Sequence, residues 1–302
     1  MTQDDTPGRI RRTMLLTPGN RAERLRKATT LNVDAVVFDI EDGVGPDHKA
    51  DARAAINTEL KSLDFGHRER IVRINAVGTP DFDLDMKELS LDAVDTVFVP
   101  KVESPEQLTT LDDQLAAVEM STGRRGRIDV VATIETPRGL LNALAIADAS
   151  ERTSALFFGS GDYSAATGGA VSDSALAFPR ATIIAAAAAA GLQAIDAAYF
   201  LSVKDAEATR ADAQLAKDLG FTGKVIFHPN QIDVCNDVFS PNEAEIARAR
   251  RIVDAHAAAA ANGHSVAYVD GEFLAIDIVL MAQRVLRRAD QIAARGSTTM
   301  EI

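Results

Sequence analysis

Short apolar runs recur along the chain, each followed by a longer stretch in which apolar residues return with helical spacing. Eight of these runs are apolar on both faces: 13–17, 35–40, 71–75, 96–100, 130–134, 155–158, 193–195 and 225–227. Strands of that kind belong in a parallel sheet covered by helices. The stretches between them, among them 21–30, 47–61, 105–120, 138–147, 178–190 and 204–219, predict the covering helices. Gly191 and Gly220 close two of these as C-terminal caps. Eight strands alternating with helices predict a TIM (β/α)8 barrel rather than an open doubly wound sheet. The first strand is not followed by the G-x-G-x-x-G turn of a dinucleotide fold.

Past the eighth strand, segments 242–261 and 276–293 read as helices, joined by the turn-rich NGHSVAYVDGEF at 262–273. A barrel needs neither. The chain therefore divides into a mobile tail (1–11), a barrel domain (12–240) and a C-terminal helical extension (241–302), an arm expected to contact another subunit.

Composition narrows the partners. A net charge of −12 over 302 residues argues against nucleic acid or an anionic membrane. An anionic small molecule stays open, because local cations override a global field. No apolar run approaches the roughly 20 residues that cross a bilayer, and the arginines of MTQDDTPGRIRR lead into no signal-like segment. The lone Cys235 excludes an internal disulfide and a cysteine-rich zinc site. It reads as an inert buried thiol and points to the cytoplasm.

The chemistry of a TIM barrel gathers at the C-terminal ends of its strands. Read in order, those ends carry Pro18-Gly19-Asn20, Asp39-Ile40-Glu41-Asp42, Arg73-Ile74-Asn75, Lys101, Glu135, Asp162, Asp196 and His228-Pro229-Asn230-Gln231. Glu135 closes VVATIE and Asp162 closes ALFFGSGD. A carboxylate ending an apolar strand emerges at the mouth and meets a cation or a proton. On consecutive strands the two would sit side by side, with no His or Cys near them in sequence. An all-oxygen pair suits Mg²⁺, or Mn²⁺, with water and substrate oxygens completing the shell.

In FDIED (38–42), alternation sends Asp39 and Glu41 to one side, where they orient metal-bound water or a basic side chain. Asp42 either shares that work, caps the next helix or pairs with a lysine. Arg73 and Lys101 emerge from strands three and four, placed to bind a carboxylate or stabilise an enolate oxygen, or to pair with the FDIED acids. PGNRAERLRKA (18–28) sets Arg21, Arg24 and Lys27 at helical spacing behind Asn20, either a phosphate seat or a solvated basic face. His228 reads as a residue that fixes its loop rather than as a catalyst. With no serine elbow, Cys/His pair or P-loop, covalent and phosphoryl-transfer mechanisms are disfavoured.

Taken together, RRTMLLTPGN, AVVFDIEDGV, RIVRINAVGT, VPKVESPEQL, TIETPRGL, FGSGDYS and GKVIFHPNQI resemble the citrate lyase β-subunit-like branch of the HpcH/HpaI aldolase superfamily. That branch includes malyl-CoA and citramalyl-CoA lyases and thioesterases. The resemblance implies a TIM barrel assembled as a homotrimer or homohexamer, with Mg²⁺ held by Glu135 and Asp162. It places Arg73 at the reacting oxygens, Asp39 and Glu41 near the metal, and Lys101 on strand four. Asn20, Arg21 and Lys27 fall on the coenzyme A side. The implied reaction is carbon–carbon cleavage or formation of a β-hydroxyacyl-CoA thioester, through an enolate, with a 2-keto acid as the other product. A malyl-CoA-type thioesterase, a citryl-acyl-carrier-protein lyase β subunit and a non-catalytic CoA-ester binder are the alternatives. One departure stands out. Where the family's arm carries an acidic residue, Asp270-Gly271-Glu272-Phe273-Leu274 leads into Ala275, and Asp277 comes two residues later. Asp277 substitutes for the missing acid, another carboxylate acts, or the reaction or substrate differs.

Overall fold

Eight parallel strands close on themselves in chain order: β1 (Thr13–Pro18), β2 (Ala35–Asp39), β3 (Glu69–Arg73), β4 (Thr96–Val99), β5 (Asp129–Ile134), β6 (Thr153–Phe158), β7 (Gln193–Ala197) and β8 (Gly223–Ile226). The seam between β8 and β1 pairs Met14 with Val225 and Leu15 with Ile226. This computed structural model describes residues 9–262, 267–269 and 272–297. It is the TIM barrel that the strand–helix alternation predicts. Alternate residues of each strand fill the inside, where Met14, Val37, Ile71, Phe98, Val131 and Phe157 belong to one buried cluster. Their neighbours Val36, Phe38, Val72, Val99, Ala132 and Leu156 face the helices. Both strand faces are therefore dry, and each buried side chain of this size contributes about 1.5–3 kcal/mol.

The helices are α1 (Ala22–Ala28), α2 (Lys49–Ser62), α3 (Pro80–Glu88), α4 (Pro105–Thr122), α5 (Pro137–Leu141), α6 (Ala143–Ala147), α7 (Ser160–Thr167), α8 (Asp173–Ala189), α9 (Ala206–Leu219) and α10 (Ile232–Val238). Their starts are written locally. Thr79 accepts from the Phe82 N–H ahead of α3, and Thr136 accepts from the Gly139 N–H ahead of α5. Proline takes the first helical position in both, where no N–H is needed. Gly220 ends α9 in the left-handed region at φ 115°, and Gly191 follows α8 at φ 73°. The predicted helix over 138–147 divides into α5 and α6 at Asn142.

Ion pairs gather at the opposite end of the barrel from the strand C-termini. Arg11 donates from Nε and Nη2 to the two carboxylate oxygens of Glu69 at 2.8 Å each, and Arg12 pairs with Asp34 at 2.8 Å. Residues 1–8 of the expected tail lie outside the described residues. Its last residue, Arg11, is only 1% exposed, because its guanidinium is the partner of a buried carboxylate. Its backbone also lies so close to β8 that a Cβ at Gly223 would come within 1.7 Å of the Arg11 carbonyl.

The chain forms two compact units, with main bodies Arg11–Phe239 and Ser240–Ile302. The second contains α11 (Glu243–Ala261), β9 (Ala267–Val269), β10 (Glu272–Leu274) and α12 (Ile276–Ser297), held by Ala249, Ile252, Leu274, Val279 and Ala282. The segment read as turns contains an antiparallel hairpin, with Tyr268 and Phe273 stacked edge-to-face at 5.9 Å. Strands of three residues are too short for a period-two signal.

Arg11→Met strands the Glu69 charge in the interior and is expected to cost about 3–5 kcal/mol of stability in urea unfolding. Arg11→Met with Glu69→Met should recover most of that loss. A single variant as stable as the parent would remove the pair from the account.

Candidate active site

The inward set of each strand runs from apolar residues to charged ones at the mouth. Two residues beyond Val37 stands Asp39, and two beyond Ile71 stands Arg73. The β2–β3 register sets these two opposite each other. Arg73 donates from Nε to Asp39 Oδ1 and from Nη2 to Oδ2, both at 2.7 Å, and its Nη1 lies 3.2 Å from Glu41 Oε2. Asp39 also accepts the N–H groups of Glu41 and Gly43, each at 2.9 Å. The turn wraps the carboxylate so closely that a Cβ at position 43 would lie 2.2 Å from Asp39 Oδ2. Burial pulls the Arg73 pKa down. The hydrogen bonds and charge of Asp39, with the charges of Glu41 and Glu135, outweigh it and hold the guanidinium above its ordinary value.

Lys101 follows β4 in the left-handed region, at φ 53°. Its N–H donates to Glu135 Oε1 at 2.8 Å, while its Nζ donates to Glu41 Oε1 at 2.5 Å and lies 3.4 Å from Asp42 Oδ2. The ion pair with FDIED is thus present, and Asp42 shares the same lysine. Burial lowers the Lys101 pKa, but the bond and charge of Glu41 outweigh it and raise the value overall.

Glu135, four residues beyond the inward Val131 on β5, is 3% exposed. Its pKa is pushed up to about 8, chiefly by burial and then by the charge of Asp162, against the opposing hydrogen bond from the Lys101 N–H. Asp162 does not end a strand. β6 stops at Phe158, and Asp162 lies in the first turn of α7, so the expected seat on two consecutive strands is built from a strand and a helix. A run as small and polar as SGDYSAAT has no apolar stripe to announce a helix. Gly159 between them lies against Glu135, where a Cβ would be 2.5 Å from Oε2.

Arg73, Glu135 and Asp162 line one side of a cavity of about 300 Å³. The rest of the lining is Gly159, Ser160 and Gly161 around the start of α7, and the apolar Leu16, Phe98, Phe157, Ala197, Phe200, Val225 and Phe227. No group of three or more His, Cys, Asp or Glu suited to a metal occurs among the described residues. The pair Glu135 and Asp162 still fits a hard divalent cation of the Mg²⁺ kind, which takes one or two carboxylates and keeps several waters. The fit rests on the donor set: burial first, and then the charge of Asp162, disfavour a bare anion at Glu135, and a hard cation held by the two carboxylates would relieve both.

Other candidates lie apart from this cluster. Arg21, Arg24 and Lys27 are exposed at the start and along the outer face of α1, without an ion pair among the described residues, while Arg26 pairs with Glu59 at 2.7 Å. Asn20 Oδ1 is buried with no hydrogen-bond partner. His228 Nδ1 accepts the Asn230 N–H at 3.1 Å, which fixes its own loop. Asp196 was expected at the mouth, but Ile195 and Ala197 take the inward positions of β7. It faces the helices, bonded to Lys224 Nζ at 2.8 Å and 3.1 Å from Arg180. Asp277 is exposed in the first turn of α12 in the second unit; Asp270 and Gly271 lie outside the described residues. Cys235 is buried, and that burial pushes its thiol up to about 12, so it is inert at neutral pH. The sequence reading missed Gly159 and the aromatic wall. The glycine-rich GSGD was a signal for the former; Phe227 ends the expected strand 225–227 but lies just past β8, and Phe200 lies beyond β7, where nothing marked it.

A closed parallel barrel whose mouth gathers paired acids, a fixed guanidinium and a small cavity has the build of a TIM-barrel enzyme. The chain belongs to the HpcH/HpaI aldolase/citrate lyase family, whose profile matches residues 12–229. It is 34% identical over 285 residues to the citrate lyase subunit beta of Leuconostoc mesenteroides subsp. cremoris, covering 93% of this chain and 94% of that protein. It is 35% identical over 285 residues to a (3S)-malyl-CoA thioesterase of Cereibacter sphaeroides, covering 94% and 96%. Among solved structures it is similar to the protein CitE of Mycobacterium tuberculosis in complex with magnesium, acetoacetate and coenzyme A. That match has a TM-score of 0.74 and 31% identity, over 93% of this chain and 98% of that one.

Glu135 holds its proton more tightly folded than unfolded. In cation-free buffer, stability should therefore fall as pH rises from the ordinary 4.5 toward about 8, then level off. The slope in that window approaches about 1.4 kcal/mol per pH unit at most. Glu135→Gln, which mimics the protonated acid, should flatten it. An unchanged slope in denaturant titrations across this range would reject the assignment.

Proposed function

We propose that the chain is a Mg²⁺-dependent carbon–carbon lyase that breaks or forms β-hydroxyacyl-CoA thioesters, with an acyl-CoA and a 2-keto acid on the other side. The observation that carries this reading is the repelling pair Glu135 and Asp162 in one cavity with Arg73. Glu135 and Asp162 would hold the cation, and Mn²⁺ suits the same donors. Bound there, the metal supplies positive charge that draws electron density from the keto acid's carboxylate and neighbouring oxygen.

The chain's own residues do the rest. Asp39 and Glu41 fix Arg73 so that its free N–H groups meet the oxygen at the reacting carbon. In the cleavage direction the β-hydroxyl gives its proton to a base and the bond between the α and β carbons breaks. The β oxygen becomes the keto carbonyl, and the electron pair passes to the thioester as an enolate, which is then protonated at carbon. Arg73 stabilises charge as it redistributes over these oxygens, and being already held in place it needs no reorganisation. Lys101 keeps Glu41 and Glu135 in position from one residue. Supplied by the arm of a neighbouring subunit, Asp277 is the candidate base, since Ala275 stands in the acidic slot.

Coenzyme A phosphates would meet Asn20, Arg21, Arg24 and Lys27, a reading supported by the exposure of the three cations beside the end of β1. Assembly as a homotrimer or homohexamer through the arm is supported by exposed apolar side chains there, namely Tyr268, Phe273, Ile276, Leu280 and Met281. No helix among the described residues is long and apolar enough to cross a membrane. The second reading, thioester hydrolysis, is favoured by the likeness to a (3S)-malyl-CoA thioesterase.

Incubation with Mg²⁺ and malyl-CoA or citramalyl-CoA, read by mass spectrometry, separates the two. Acetyl-CoA with glyoxylate or pyruvate is expected; free coenzyme A with the hydroxy acid would make the chain a thioesterase. Glu135→Gln and Asp162→Asn should each abolish turnover and the thermal stabilisation that added Mg²⁺ gives. Turnover that survives chelation would remove the metal from the mechanism.

Arg73→Lys keeps a cation beside Asp39 but loses the fork. Its kcat should fall by about 10²-fold or more. A change confined to KM would mean that Arg73 only binds substrate. Ala275→Asp should raise the rate if the arm's acidic slot acts in this chain, and an unaltered rate would assign proton transfer elsewhere.

A further inference from the structure

One polar side chain stands inside the barrel just below the acidic pair. Val131 faces inward on β5, so strand alternation sends Thr133 and Glu135 the same way. The β5–β6 register sets Thr133 opposite Phe157, whose ring lines the cavity. Thr133 is 1% exposed, and its hydroxyl has no hydrogen-bond partner. Its main-chain carbonyl is used, accepting the Val102 N–H at 3.2 Å. The unpaired group is therefore the hydroxyl alone.

Burying a hydroxyl without a partner destabilises a fold. Valine has the same branched shape and carries no such penalty, so packing gives no reason for threonine here. Nor does the carboxylate above supply the missing bond. Glu135 Oε1 accepts the Lys101 N–H at 2.8 Å, and Oε2 lies against Gly159, which keeps both oxygens in the mouth layer. Two residues of strand span about 6.6 Å. That is too far for a direct hydrogen bond and within reach of one bridging water. A Mg²⁺ ion held by one or two carboxylates keeps several waters. A hydroxyl can accept from such a water and still donate elsewhere.

We propose that Thr133 is a positioning residue whose hydroxyl anchors, from below, one of the waters kept by the cation at Glu135 and Asp162. This rests on the metal reading above and extends it to a side chain that touches neither the cation nor the substrate. By fixing one water, Thr133 fixes which of the cation's remaining positions are left for substrate oxygens. The penalty of the unpaired hydroxyl in the cation-free protein is offset when the cation binds.

Two substitutions separate the hydroxyl from its shape. Thr133→Val keeps the branching and removes the hydroxyl; Thr133→Ser keeps the hydroxyl and removes the methyl. Calorimetry of the full chain with MgCl₂, at one pH and without keto acid, reads cation affinity. Urea unfolding in cation-free buffer reads stability. Thr133→Val is expected to bind Mg²⁺ about 10-fold or more weakly than the parent, while its unfolding midpoint without cation rises. Thr133→Ser is expected to keep the parent's affinity and to unfold at lower urea. A side chain that only packs would spare affinity in the valine variant and give no rise in its midpoint.

An affinity in Thr133→Val equal to the parent's overturns the proposal, as does a midpoint that fails to rise. Loss of affinity in Thr133→Ser as large as in Thr133→Val overturns it too. A crystal structure of the parent with Mg²⁺ is expected to show a water bonded to both Thr133 Oγ1 and the cation; a hydroxyl bonded only to protein atoms would count against it equally. If Asp162→Asn abolishes Mg²⁺ binding and Thr133→Val leaves it untouched, the metal reading stands and this proposal falls. A parent that binds no Mg²⁺ overturns both.

Discussion

Closing eight parallel strands on themselves forces every second side chain into a space that water does not enter. That constraint governs the whole molecule. Residues such as Val37, Ile71 and Val131 satisfy it in the middle of the barrel, where a polar group has little to bond to. At either rim the same inward positions turn polar. Glu69 and its guanidinium partner seal one end, while Asp39, Arg73 and Glu135 occupy the other. A single alternation thus produces floor, core and reactive rim, with no change of architecture between them.

The two rims differ in electrostatic balance. At the floor Arg11 meets Glu69 and Arg12 meets Asp34, so charge is closed within the protein. At the mouth the acids outnumber the side-chain cations, and one of them, Glu135, responds by holding on to a proton. The surplus is tolerated because Asp39 and Glu41 are committed to Arg73, which in turn cannot swing away. What remains unneutralised is concentrated on Glu135 and Asp162. The cation proposed for this pair would supply the charge that the chain's own side chains leave unbalanced.

Much of this was legible in the sequence. The eight strands were readable because they are apolar on both faces, and Asp39, Arg73 and Glu135 because each ends such a run. Asp162 was recognised as an acid of the site but placed on the wrong element, since α7 offers no apolar period. Asp196 shows the limit of reading strand ends without phase: one residue's shift along β7 sends a side chain to the helix layer. Arg11 was placed in the tail because an arginine beside a terminus looks solvated until its buried partner, 58 positions away, is known. The aromatic wall eluded the sequence for a related reason. Phe98 and Phe157 looked like ordinary core, and only closure of the barrel brings them together with Phe200 and Phe227.

Lys101 has a consequence of its own. It is the sole non-glycine residue with positive φ among those described, a conformation an L-amino acid resists. Its main chain grips the acid proposed to face the metal, and its side chain grips the acid that braces the guanidinium. One peptide therefore synchronises two halves of the centre. Displacing the segment after β4 would release both grips at once, so the cation seat and the arginine clamp assemble or dissolve as a unit.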